Sequence, residues 1–190
     1  MEMALSKADW IEAALLALAR DGLSGVAVEP LARTLGATKG SFYWHFANRA
    51  ELIAATLELW EQRGTTETIA GIQAISDPRE RLIALARDAY TGAARGNVHT
   101  AVLAAASDPR VAPVLARVTR TRLAFLERLY SDLGLAAGQA ARQARLAYAL
   151  YLGIGELRRA DREGAPGGQE LDEDLELAVD IMVPSARAHG

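Results

Sequence analysis

The sequence of 190 residues contains no cysteine. This absence excludes a disulfide scaffold, a thiolate nucleophile and a zinc site built on cysteine, and it fits the cytoplasm. The chain also lacks a cationic opening followed by a long apolar run. No uninterrupted apolar segment approaches the roughly 18 residues that crossing a bilayer requires. We therefore expect a soluble, cytoplasmic protein with no membrane partner.

Several kinds of catalytic or metal site are also missing. The three histidines, at positions 45, 99 and 189, are too scattered to form a metal set. The glycine-rich loop at 164–168 has no trailing Lys-Ser/Thr and no strand before it, so it does not resemble a phosphate-binding loop. Nothing in the sequence resembles a nucleophile with its base and orienting group. We therefore predict a protein that is not an enzyme and has no metal or cofactor.

The charge of the chain is divided unevenly along its length. The formal net charge is −3, yet residues 1–50 carry five Lys/Arg and five Asp/Glu, whereas residues 51–190 carry sixteen and nineteen. The acidity thus belongs to the larger C-terminal part. A local basic surface is sufficient for binding a polyanion, so the overall charge does not exclude nucleic acid as a partner.

Hydrophobic periodicity predicts helices throughout the chain. Apolar residues make up 51% of the sequence and recur at the 3.6-residue spacing of an amphipathic helix. No stretch alternates like a strand, and no repeat of 20–50 residues is evident. Helix-start signals stand at Ser6, Thr38, Asn48 and Asp77. The sequence therefore predicts an all-α fold of about nine helices.

The stretch Leu31–Phe46, LARTLGATKGSFYWHF, has the spacing of a helix-turn-helix. Ala32 lies four residues before Gly36, where a small side chain allows close helix crossing, and Gly36 can adopt the left-handed conformation of a tight turn. Between Pro30 and Ala50 the charged residues are cationic, with no acid in the run. This pattern indicates a polyanion as the partner.

The N-terminal part resembles the TetR/AcrR family of bacterial transcriptional regulators over about residues 6–55. The matching elements are Val28-Glu29-Pro30-Leu31-Ala32, Gly36, Lys39-Gly40-Ser41-Phe42-Tyr43-Trp44-His45-Phe46 and Arg49. One departure is Val26, which stands where the family usually has threonine near the start of the second helix. The resemblance implies a DNA-binding domain at 1–47 and a helical effector-binding and dimerisation domain at 48–190.

The residues in and around the second helix of the helix-turn-helix are predicted to contact DNA. Lys39 and Tyr43 align with the family motif, Trp44 and His45 are expected on the exposed face, and Thr38 can both cap the helix and meet a phosphate. The alternative is a solvated helix end with aromatic core residues. The predicted DNA contacts are Arg33, Thr38, Lys39, Gly40, Tyr43, Trp44, His45 and Arg49.

One short recognition helix reads only a few base pairs, so specific binding normally requires a symmetric dimer on a palindromic site. The segments 138–160 and 170–187 are apolar on nearly all sides. One side of each can pack on the body and the other on a second copy, which gives a four-helix interface. The predicted dimer contacts are Ala140, Ala144, Ala147, Tyr151 and Ile154, while Leu146, Leu150 and Leu157 lie on another side. The alternative is a single buried core helix.

The family resemblance also implies an effector pocket in the helical body. Its predicted lining has few charges, which favours an apolar aromatic or acyl small molecule. The predicted lining residues are Trp60, Tyr90, His99, Val102, Leu103, Arg122, Phe125 and Tyr148. The leading hypothesis is thus a repressor that such an effector releases from its operator. The alternatives are a DNA-binding regulator controlled by a protein partner and a helical carrier or lyase whose N-terminal part merely packs.

Overall fold

A computed structural model describes residues 5–94, 98–161 and 169–183 of the chain. These residues form helices and connecting turns without any strand, so the predicted all-α class is confirmed for them. The helices are α1 (Lys7–Asp21), α2 (Val28–Thr34), α3 (Lys39–His45), α4 (Arg49–Glu61), α5 (Thr68–Gln73), α6 (Pro78–Ala94), α7 (Val98–Ala104), α8 (Ala112–Asp132), α9 (Ala137–Ala160) and α10 (Gln169–Met182).

A π-helical segment, Gln62–Glu67, joins α4 to α5 without a break. When α4, this segment and α5 are counted as one, the described residues form nine helical segments, as the sequence predicts. A short 3₁₀ turn, Gly22–Gly25, follows α1. Within the described ranges, no helix combines the length and the apolar character needed to cross a membrane.

The predicted helix-start signals are confirmed by their hydrogen bonds. Ser6 forms a capping box with Asp9, whose backbone N–H donates to the Ser6 hydroxyl over 3.3 Å while its carboxylate accepts from the Ser6 N–H at 2.7 Å. Asn48 accepts from the backbone of Glu51 at 3.0 Å, and Asp77 accepts from the backbone of Glu80 at 2.9 Å. These side chains satisfy donors that a helix cannot satisfy itself.

The chain divides into two compact units, and the first comprises Met1–Thr66 and Val98–Val118. Residues 1–47, predicted to form the DNA-binding domain, all belong to this unit. Its core joins residues of α1, α3 and α4 to residues of the second segment, including Val102 and Val118, which are fully buried. The first unit is therefore completed by residues far along the chain.

The second unit comprises Glu67–Asn97 and Thr119–Gly190. Within it, α6 packs against α9 and against α10. The buried Tyr130 hydroxyl of α8 donates a 2.7 Å hydrogen bond to the carbonyl of Met182 at the end of α10. Burial raises the pKa of Tyr130 to about 12, which keeps the phenol protonated and able to donate. This bond fixes the end of α10 to α8.

Candidate nucleic-acid interface

The turn between α2 and α3 depends on the backbone of Gly36. Its φ of 63° lies in the left-handed region, where a side chain costs about 1–2 kcal/mol. The N–H of Ala37 donates to the carbonyl of Ala32 over 2.8 Å, and that of Gly36 donates to Arg33 over 3.2 Å. These bonds close the end of α2 and start the chain in the new direction of α3, as the sequence predicts.

Two phenylalanines hold α3 in place. Phe42 and Phe46 are 0% and 1% exposed, and their rings stack with centroids 5.3 Å apart. Trp10 of α1 meets the Phe42 ring edge-on at 5.4 Å. Because one side of this seven-residue helix is buried in this way, the opposite side must face solvent.

Five of the predicted DNA contacts share that exposed side of α3. Tyr43 and Trp44 are 61% and 88% exposed. Thr38, Lys39 and Gly40, which form the start of the same surface, are exposed as well. We call Thr38, Lys39, Gly40, Tyr43 and Trp44 the recognition surface. It presents a cation, hydroxyl groups and two aromatic rings, the groups that bind phosphates and base edges.

The hydroxyl of Thr38 is already used within the fold. It accepts a hydrogen bond from the backbone N–H of Ser41 at 3.2 Å and so caps α3, as predicted. Gly40 leaves the start of α3 without a side chain at a position where a Cβ would lie 3.5 Å from the Thr38 hydroxyl oxygen. The start of α3 is therefore both ordered and accessible.

His45 is placed differently from the exposed contact that the sequence suggests. It is half-buried, and its Nε2 lies 2.9 Å from the carbonyl oxygen of Leu5, in the segment that precedes α1. Because a carbonyl can only accept, Nε2 carries the proton in this contact. His45 thus links α3 to the segment before α1, and it is not exposed as Tyr43 and Trp44 are.

Arg49 is also committed to the fold. Its Nε donates to the carbonyl of Val26 over 2.5 Å and its Nη2 to the carbonyl of Leu23 over 2.7 Å. It joins the first residue of α4 to the connector that leads into α2. In this geometry Arg49 positions the connector before α2 against the start of α4, whereas the sequence suggests a direct phosphate contact.

The connector that Arg49 holds also contains Val26, which stands where the family usually has threonine. Val26 is fully buried in the core of the first unit, and the residue that caps α2 is Ala27, whose side chain makes no hydrogen bond. The start of α2 thus presents no hydroxyl group at these two positions. Arg33, one of the predicted DNA contacts, is exposed on α2.

An acidic residue beside the recognition surface was missed in the sequence. Glu29, in the first turn of α2, forms an ion pair with Lys39. A hydrogen bond from Lys39, reinforced by its charge and by that of Arg33, holds the pKa of Glu29 below its usual value. The acid-free run begins at Pro30, the residue directly after Glu29. A search for acids within that run therefore does not find Glu29.

The predicted effector-lining residues fall into two groups, one in each unit. In the first unit, the rings of Trp60 and His99 stack with centroids 5.6 Å apart, and Val102 and Leu103 belong to the same hydrophobic cluster. In the second unit, Phe125 and Tyr148 are buried, and the Arg122 guanidinium lies over the ring of Tyr151 at 5.9 Å. The side chain of Tyr90 lies outside the described residues.

The structure places the predicted dimer alanines inside their own unit. Ala140, Ala144 and Ala147 are 0%, 2% and 3% exposed, so they cannot face a second copy without rearrangement. Tyr151 and Ile154 are half-buried. The assignment of these alanines to the dimer interface is therefore wrong. Small residues also allow α6 to approach α9 within one chain. The exposed side of α9 carries Leu146 and Leu157 instead.

The sequence of the N-terminal part matches known regulators. Residues 11–56 match the family described as bacterial regulatory proteins, tetR family. The HTH-type transcriptional regulator TtgR of Pseudomonas putida is 40% identical over 53 residues, which are 28% of this chain. That match spans 25% of the length of TtgR.

Solved structures extend the likeness to most of the chain. Reduced Escherichia coli NemR aligns with a TM-score of 0.75 at 19% identity, over 94% of this chain and 97% of NemR. AibR, solved in complex with isovaleryl coenzyme A and operator DNA, aligns with a TM-score of 0.69 at 19% identity, over 94% of this chain and 98% of AibR. At this identity the likeness concerns the fold.

The turn between α2 and α3 and the exposed side of α3 define a helix-turn-helix protein. Residues 11–56 match the model of the tetR family of bacterial regulatory proteins, which confirms the resemblance noted in the sequence for this N-terminal part of the chain.

Replacing Arg49 with lysine distinguishes positioning from phosphate contact. Arg49→Lys keeps the positive charge but lacks the two guanidinium N–H groups that donate to the Val26 and Leu23 carbonyls. We expect the free energy of unfolding to fall by roughly 1–2 kcal/mol, because charge-assisted hydrogen bonds are lost. Tryptophan fluorescence during urea unfolding reports this directly, since Trp10, Trp44 and Trp60 all lie in the first unit.

Arg33→Lys is the matched control, because Arg33 is exposed on α2. It should change the free energy of unfolding by no more than about 0.5 kcal/mol. A wild-type unfolding curve for Arg49→Lys, combined with weaker DNA binding, would show that Arg49 acts on DNA and does not position the helices.

Proposed function

We propose that this protein is a dimeric, DNA-binding transcriptional regulator that represses a promoter and leaves its operator when it binds a small apolar effector. Residues 1–47 form the DNA-binding domain, and residues 48–190 form the effector-binding and dimerisation domain. The observation that carries the proposal is the recognition surface, where Trp44 is 88% exposed on a helix whose other side is buried.

The exposed tryptophan and the adjacent exposed tyrosine form a patch that a partner can cover. The neighbouring Lys39 and the hydroxyls of Tyr43 and Thr38 can bind phosphate oxygens, and the rings can meet the apolar edges of bases. These groups occupy a helix-turn-helix, whose second helix enters the major groove. DNA is the partner that this combination fits.

The dimer is supported by apolar residues left exposed on α9 and α10. Leu146 and Leu157 of α9 are 66% and 72% exposed, and Leu177 and Ile181 of α10 are 60% and 57% exposed. The exposed side of α9 also contains Ala149 and Gly153, and these small residues allow a second helix to approach closely.

Charge on these two helices supports the same arrangement. The exposed side of α9 begins with Arg142 and Arg145, whereas that of α10 carries Glu173, Glu176 and Asp180. Opposite charges on two helices of one chain allow α9 of one copy to meet α10 of another with matched potentials. A symmetric dimer uses such a pairing twice.

An effector site is supported by the chemistry of the second unit and by one fold neighbour. Arg122 lies over Tyr151, and the rings of Tyr151 and Tyr148 are 5.9 Å apart, so a cation stands beside aromatic surface. This combination suits a ligand with an apolar body and an anionic group. AibR, which shares the fold, was solved with isovaleryl coenzyme A. The apolar part of the effector would then be an acyl chain, and acyl coenzyme A esters, in which this chain is joined to an anionic nucleotide, are the first effectors to test.

Removing single groups from the recognition surface should weaken DNA binding. We expect Lys39→Ala and Tyr43→Ala each to raise the Kd for an operator duplex at least about tenfold, equivalent to 1.4 kcal/mol. Lys39→Ala should also flatten the dependence of log K on log salt by about one, because a phosphate contact is lost. Fluorescence anisotropy at several salt concentrations measures both.

Arg20→Ala serves as the control, because Arg20 is an exposed cation that pairs with Asp21 at the far end of α1. It should leave the Kd unchanged. If Lys39→Ala and Tyr43→Ala bind as the wild type does, α3 is not the recognition helix.

The exposed leucines of α9 should determine the oligomeric state. Leu157→Arg places a charge in the proposed interface, so we expect a monomer or a much weaker dimer in analytical ultracentrifugation. Leu16→Arg is a matched control, because Leu16 is 71% exposed on α1 and Leu157 is 72% exposed. A dimer that survives Leu157→Arg and Leu146→Arg equally well would place the interface elsewhere.

An effector should release the protein from its operator. We expect an acyl coenzyme A ester of suitable chain length to weaken DNA binding about 5–150-fold, the range of a coupling of about 1–3 kcal/mol. Free coenzyme A is the control for the nucleotide part. Arg122→Met should reduce the response while leaving DNA binding without ligand unchanged. If neither acyl esters nor aromatic acids alter DNA binding or thermal stability, control by a protein partner becomes the better explanation.

A further inference from the structure

Glu29 is an acidic side chain placed beside a surface that should bind a polyanion. Its carboxylate pairs with the ammonium group of Lys39, the first residue of α3 and part of the recognition surface. The two side chains are 59% and 60% exposed, so the pair lies at the surface where DNA would approach.

The fold does not account for this ion pair. Exposed pairs contribute little to stability, because water and salt screen them and two long side chains must be ordered. Asp9 and Glu51 of the first unit accept from the backbone N–H groups of Ser6 and Ala47, the latter at 2.7 Å. Glu12 and Asp21 form exposed ion pairs with Arg63 and Arg20, which lie outside the recognition surface. Glu29 instead holds a cation that the proposed function needs for DNA.

Binding of Lys39 to a phosphate would disturb the pair in one of two ways. Lys39 can leave Glu29, which breaks a favourable contact, or it can carry the carboxylate close to the phosphates, which repel it. Either effect opposes binding to every DNA sequence. The opposition decreases only where the carboxylate gains a donor, and the amino group of cytosine in the major groove is such a donor.

We propose that Glu29 is a selectivity residue of the DNA-binding surface: it restrains Lys39 and repels phosphate on any duplex that offers its carboxylate no donor. This inference rests on the DNA-binding function proposed above. Its consequence is a lower affinity for non-cognate DNA at a smaller loss for the operator, and hence a larger ratio between the two affinities.

The test compares Glu29→Gln with the wild type on two duplexes, the operator recovered by selection and a scrambled sequence of equal composition. Glutamine removes the charge with little change of shape. We expect the variant to bind the scrambled duplex more tightly, with a log K against log salt slope steeper by about 0.9 for each phosphate contact that Lys39 gains. The operator should gain less, so the selectivity ratio falls.

Two controls separate this mechanism from a general change of charge. Glu12→Gln removes the same charge from an acid of the first unit that pairs with Arg63 instead of Lys39. It should leave both affinities unchanged. In a Lys39→Met background, Glu29→Gln should lose most of its effect on the salt slope, because the restrained cation is absent.

Equal gains on both duplexes, an unchanged salt slope, or an undiminished effect in the Lys39→Met background would each overturn the role of Glu29. In all these cases the wild type still binds its operator. A wild type that binds neither duplex would instead overturn the proposed DNA-binding function itself, so the two failures are distinct.

Discussion

The burial of Phe42 and Phe46 is the interaction on which the rest of the functional surface depends. A helix of seven residues is too short to persist alone in water, so α3 needs tertiary contacts to exist. The stacked rings and the edge of Trp10 supply them. The same contacts fix the rotation of α3 about its axis and so direct Tyr43 and Trp44 outwards. Packing and recognition are therefore two consequences of one arrangement.

Polar contacts then determine how the recognition surface is held. Arg49 fixes the connector before α2 through two carbonyls, and His45 fixes the segment before α1 through one. The fold uses both side chains for alignment. Lys39 stands at the edge of the surface with Glu29 as its partner. In our account, the pairing of Lys39 with Glu29 weakens the attraction to phosphate, so binding depends more on the fit to bases.

Local features of this fold could be predicted from the sequence, because they depend on neighbouring residues. The caps at Ser6, Thr38 and Asn48 and the left-handed turn at Gly36 follow from side-chain chemistry within a few positions. Contacts between distant residues could not be predicted in this way. The bond from His45 to Leu5 spans 40 positions, and the ion pair between Glu29 and Lys39 depends on the angle of the turn between α2 and α3. The side of α9 that faces its own unit was also misjudged, since an alanine stripe suits a contact within the chain as well as one between copies.

The central claim is that two copies of α3, each held by its buried phenylalanines, read DNA together. Selection of duplexes from a random pool by the purified full-length protein tests it most directly. The account predicts enrichment of an inverted repeat whose half-site centres are about 34–36 Å apart or a multiple of that distance. Enrichment of a single unrepeated site, or none above the starting pool, would contradict it.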